Sequence, residues 1–84
     1  MSIMAQQLRT VNDVRAELGM TQAELAAEAN LKKGVISKQE QGRSISKTTA
    51  LRIFYALNRL RKAKELPELQ FDEITWNLTR QEEK

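Results

Sequence analysis

Neither cysteine nor histidine occurs in this chain of 84 residues, and there is a single proline. Without cysteine there is no disulfide framework, and with histidine also missing no cluster can hold a structural zinc. Histidine, the most frequent general base, and the cysteine nucleophile are therefore absent together. The carboxylates lie mostly towards the two ends. The three glycines, Gly19, Gly34 and Gly42, stand too far apart for a phosphate loop. A catalytic reading has little to stand on, and neither cofactor nor metal is expected. No apolar run approaches membrane-spanning length, and the opening MSIMAQQLRT lacks the apolar core of a signal peptide. These absences lead us to expect a soluble, cytoplasmic protein with no membrane partner.

What is present is one small domain's worth of chain, at the low end of what a single core supports. The fold must rest on apolar packing, alone or shared with a second copy. A formal net charge of +3 conceals strong segregation. Residues 31–64 carry ten lysines and arginines against one acid, Glu40, whereas acidic side chains outnumber basic ones on both flanks. A basic block this uneven fits a polyanion, although a solvated helix face is its ordinary alternative.

Helical periodicity and punctuation divide the chain. Met4, Leu8, Val11, Val14 and Leu18 approximate one helical face, closed by Gly19. Thr21 with Glu24 makes a capping-box pattern, opening a helix over 22–29 whose buried stripe is Leu25, Ala26 and Ala29. Asn30 tolerates left-handed backbone and ends it. A short helix over 32–40 follows, closed by Gly42. Ser46 can cap a fourth helix, in which Ala50, Leu51, Ile53, Phe54, Leu57 and Leu60 recur at helical spacing to about residue 64. Pro67 marks a break. The stretch LQFDEITWNLTR fits a helix by Phe71, Ile74 and Leu78 and a strand by Ile74, Trp76 and Leu78; a short helix from near Phe71 is favoured. The closing QEEK is expected to fray.

The helix over 32–40 poses the functional question, because it offers a core little beyond Val35 and Ile36. A capped helix, a tight turn at Asn30–Leu31 and a short one-sided helix form the pattern of a helix-turn-helix. Alanines on the first helix let the second cross close above it. The outer face of the second then carries Lys32, Lys33, Ser37, Lys38 and Gln41. A helix held up by its neighbours while showing lysines outward suits DNA.

Here the sequence resembles the Cro/repressor, XRE-like family of regulators. The resemblance rests on Leu18-Gly19-Met20-Thr21-Gln22, Glu24-Leu25-Ala26, Val35-Ile36-Ser37, Glu40-Gln41-Gly42 and Ala56-Leu57, and covers roughly residues 8 to 60. It implies an all-α, five-helix lambda-repressor-like fold, with a helix-turn-helix domain over 1–64 and a C-terminal extension over 65–84. It implies, too, that Lys33, Gly34, Ser37 and Lys38 read base edges in the major groove. Gln22, Lys32, Arg43, Ser44, Ser46 and Lys47 are the implied phosphate contacts. Arg15 and Glu40 match a family ion pair. Asn30 replaces the usual turn glycine. Gln39 stands where an apolar residue is common, which implies a weakly anchored recognition helix.

The function expected is a sequence-specific transcriptional regulator, a repressor in the first instance, that blocks or recruits polymerase as a homodimer on double-stranded DNA. Leu66, Leu69, Phe71, Ile74, Trp76 and Leu78 are the candidate dimer surface, or else they close the monomer's own core. An antitoxin that binds a toxin and regulates its own operator is the alternative.

Overall fold

Four helices carry the fold: α1 (Val11–Leu18), α2 (Gln22–Ala29), α3 (Lys33–Glu40) and α4 (Lys47–Ala63). A computed structural model describes residues 8–79. A single 3₁₀ turn, Phe71–Glu73, stands where a fifth helix was expected. Among the described residues the chain is all-α with four helices, not five. Beyond that turn the backbone is extended, pairing at isolated points with Arg9 (through Ile74) and with Ile45 (through Leu78). The two patterns legible in LQFDEITWNLTR thus succeed each other along the chain.

Helix α1 begins later than the apolar spacing implied. Thr10 is its N-cap: the hydroxyl accepts from the Asp13 N–H at 3.0 Å while the Asp13 carboxylate accepts from the Thr10 N–H at 3.1 Å. That reciprocal pair satisfies two donors that would otherwise be orphaned and fixes the start. Leu8 falls outside the helix and is 56% exposed, so it is not part of the buried face. Met4 and the closing residues 81–84 lie outside the described residues.

One device ends all four helices. At Gly19, Asn30, Gly42 and Glu65 the backbone turns left-handed, with φ of 69°, 59°, 85° and 60°. The N–H of the following residue reaches back five residues: Met20 to Arg15, Leu31 to Ala26, Arg43 to Lys38 and Leu66 to Arg61, at 2.8–3.2 Å. In three cases the residue after the turn is apolar and packs partly buried against the core, namely Met20, Leu31 and Leu66. After α3 it is Arg43, which is exposed. The same reversal that tucks a side chain inward elsewhere leaves a cation outside here.

The core is layered between α1, α2 and α4, with Val11, Val14, Leu25, Ile53 and Leu57 fully enclosed. Ala26 and Ala29 of α2 are buried and small, so α3 can seat Ile36, itself fully buried, against them. The extension closes the remaining side. Leu69 and Ile74 join the core, and Leu66, Phe71, Trp76 and Leu78 pack partly buried against it. Phe71 is sandwiched between Phe54 (edge-on, 5.4 Å between centroids) and Trp76 (stacked, 5.0 Å). Asn58 mimics a backbone partner, donating to the Leu69 carbonyl and accepting from its N–H, both at 2.9 Å. Of the two roles weighed for these apolar residues, core closure is the one that Leu69 and Ile74 perform in the monomer.

Candidate nucleic-acid interface

Helix α3 is held from within by few side chains. Ile36 and Gln39 are its buried residues, and Val35 is half-buried. Lys32 precedes it with no side-chain cap; the Val35 N–H turns back to the Lys32 carbonyl at 2.9 Å, and no side chain caps the N–H groups of Lys33 and Gly34. Such an end carries partial positive charge. Lys32, Lys33, Gly34 and Lys38 are exposed, and Ser37 is half-buried with its hydroxyl accepting from the Gln41 side chain at 3.2 Å.

A polar network compensates for the thin apolar anchorage. Arg15 on α1 donates from Nε to Glu40 Oε2 at 2.7 Å and from Nη2 to Oε1 at 3.0 Å. Two further N–H groups meet the Met20 carbonyl and Asn12 Oδ1, each at 2.7 Å. Glu40 also accepts from Gln22 Nε2 at 2.9 Å. One carboxylate at the end of α3 therefore joins α1 and the N-terminus of α2. Burial alone would push the Glu40 carboxyl up; hydrogen bonds from Arg15 and Gln22, with the Arg15 charge, outweigh it and hold the group below its ordinary range. The hydrogen bond to Glu40 raises Arg15 in turn, against the cost of burial.

Gln39 departs from the sequence expectation. Its side chain is 7% exposed, with Nε2 directed at the Thr75 carbonyl at 3.5 Å. This polar residue at a buried position brings α3 against the extension.

The flanking residues divide by what already occupies them. Arg43, Ser44 and Lys47 are exposed. Ser46 is committed to α4, where its hydroxyl caps by accepting from the Thr49 N–H at 3.1 Å. Gln22 is half-buried and lends one amide hydrogen to Glu40. Farther on, Arg61 is neither a solvated helix end nor free for a phosphate: it is 3% exposed, donating to the Pro67 carbonyl at 2.8 Å and to Glu17 at 2.7 Å. Nothing in the sequence near Arg61 marks it off from its neighbours Arg59 and Lys62.

Ion pairing sharpens the pattern. Arg9, Arg15, Arg59 and Arg61 all have carboxylate partners. Among the described residues, Lys32, Lys33, Lys38, Arg43 and Lys47 have none within salt-bridge distance. These five sit on one helix and its two flanks; Arg52, Lys62 and Lys64, also without a carboxylate partner, lie farther along α4 and at its end.

A family model described as helix-turn-helix matches residues 11–61. Neither a curated protein nor a solved structure matches the chain. No described helix is long and apolar enough to cross a membrane.

Proposed function

The chain belongs to the Cro/C1-type helix-turn-helix family, and from that premise we propose that it is a sequence-specific transcriptional regulator, a repressor that lays α3 in the major groove. One observation carries the reading: five exposed cations without carboxylate partners, Lys32, Lys33, Lys38, Arg43 and Lys47, gather on α3 and its flanks, where a row of phosphates would neutralise them together. Lys33, Gly34, Ser37 and Lys38 face the base edges in this arrangement. Lys32, Arg43 and Lys47 meet phosphates, as do the backbone N–H groups at Gln22, Ser44 and Ser46.

The active species in this reading is a homodimer on half-sites about one helical turn apart. Because Leu69 and Ile74 are spent on the monomer core, self-association draws on the half-buried Leu66, Phe71, Trp76 and Leu78. Sedimentation giving a monomer at high micromolar concentration removes the dimer.

Fluorescence anisotropy with duplexes selected from random DNA tests the whole reading. Engagement of five cations per chain gives a slope of log K against log salt of about −4 to −5 per chain. Absent or salt-independent binding overturns it.

A further inference from the structure

The loop from Gly42 to Ile45 holds Arg43 and Ser44 at the proposed DNA surface, yet its own side chains do not fasten it. Arg43 and Ser44 are exposed, and neither side chain has a hydrogen bond among the described residues. The Gly42 and Arg43 N–H groups only complete the end of α3, bonding to Gln39 and Lys38. Every other hydrogen bond that the loop makes goes to the C-terminal extension, outside the matched region. Asn77 Nδ2 donates to the Gly42 carbonyl at 2.8 Å. The Asn77 carbonyl accepts from the Ile45 N–H at 2.9 Å, and the Thr79 N–H donates to the Ile45 carbonyl at 2.8 Å.

A fastening transmits rigidity only if its other end is fixed, and here it is. Arg61 and Asn58 on α4 hold Pro67 and Leu69. The Arg9 backbone donates to Glu73 at 3.0 Å and accepts from Thr75 at 2.8 Å. Ile74, 2% exposed, is sunk into the core between those anchor points and Asn77. The extension is thus rooted on α4 and on the segment before α1, and it spends its last polar side chain before Thr79 on the loop.

We infer that Asn77 is a positioning residue for DNA binding, holding the two ends of the Gly42–Ile45 loop so that Arg43 meets a phosphate. It acts through Arg43 and touches no base. The inference rests on the DNA reading above, and its test separates the two. Substitution Asn77→Ala removes a side-chain hydrogen bond and should weaken binding about 3- to 10-fold on every duplex, with no change in base preference. The slope against salt should become shallower by about 1, as one phosphate contact is lost. In an Arg43→Ala background the same substitution should cost little more, since both remove one contact. The thermal midpoint of Asn77→Ala should stay near that of the unmodified chain. A general loosening of the fold would lower that midpoint and leave the slope unmoved.

An unchanged slope, or losses from Asn77→Ala and Arg43→Ala that multiply independently, overturns the inference while leaving DNA binding intact. If the unmodified chain binds no duplex, the DNA reading itself fails. Hydrogen exchange then decides the mechanical part: a faster Ile45 amide in Asn77→Ala supports loop positioning, and an unaltered one rejects it.

Discussion

Arg15 and Glu40 lie 25 residues apart in the chain and meet through two side-chain hydrogen bonds, at 2.7 and 3.0 Å. With the two side chains 17% and 9% exposed, the pair is shielded from water far more than a surface salt bridge. Truncating one partner therefore strands the other's charge. Surface pairs are worth about 0–1 kcal/mol, whereas breaking a buried one costs about 3–5 kcal/mol. Glu40→Ala should fall between, at about 2–3 kcal/mol, measured by urea denaturation. A loss below about 0.5 kcal/mol would show that the network is incidental to the seating of α3.

The same pair makes a pH prediction. Glu40 is held below its ordinary range in the folded chain, so the folded state binds its proton less readily than the unfolded one. Its contribution is full above the unfolded value of about 4.3 and is lost as pH falls through the depressed folded value. Thermal midpoints should accordingly decline on acidification below about pH 4.5, and less steeply in Glu40→Gln than in the unmodified chain. Parallel acid profiles for the two would refute the assignment.

Much of the helical frame around the candidate site is legible in the sequence. Thr21, Asn30, Gly42 and Ser46 announce helix ends because caps and left-handed turns demand particular residues. Lys33 and Lys38 announce an outward face because so little beside them is apolar. Among the exceptions Leu8 has a local cause, and the others depend on tertiary partners. Leu8 continues a helical spacing, but the Thr10–Asp13 cap forecloses it locally. Gln39 looks surplus until Thr75 arrives from 36 residues away. Arg61 looks like one more cation in RLRKAK, and only the folded-back extension reveals it as an internal brace. In the extension, an aromatic cluster of Phe54, Phe71 and Trp76 overrides helical periodicity, so helix gives way to a single turn and extended chain.

Glu65 is the one helix-ending residue whose type does not suit its backbone. With φ of 60° it is left-handed, as are Gly19 and Gly42, but it carries a side chain and is exposed. The left-handed conformation costs an ordinary residue about 1–2 kcal/mol, part of which glycine returns as greater freedom when unfolded. Glu65→Gly should stabilise the fold by about 0.5–1 kcal/mol in chemical denaturation, without touching DNA affinity. Destabilisation would mean that the turn after α4 is not formed as described.

Lysines within the proposed interface should separate by role. Lys33 and Lys38 project from α3 itself, whereas Lys47 stands at the start of α4 beyond the loop. Lys33→Ala or Lys38→Ala should relax preference at one base position, at a cost of about 1–3 kcal/mol for the favoured base. Lys47→Ala should weaken all duplexes alike and make the salt slope shallower by about 1. Binding selections on each variant would reveal the difference. A uniform loss from all three substitutions would assign every one of them to phosphate.

Gly34 offers the sharpest separation of folding from binding. It lies in the first turn of α3, where an added Cβ would meet nothing within 4 Å. Its backbone is not left-handed, so the fold itself has no need of glycine there. Alanine is favoured over glycine inside a helix by about 1 kcal/mol. Gly34→Ala should therefore raise the stability of the free protein by roughly that amount. If α3 enters a groove at this turn, the missing side chain is what lets backbone approach base edges, and the added methyl should weaken specific binding. Stability and affinity would then move in opposite directions for one substitution. Should both rise together, DNA does not approach α3 at Gly34, and the orientation of the helix in the groove must differ from the one proposed.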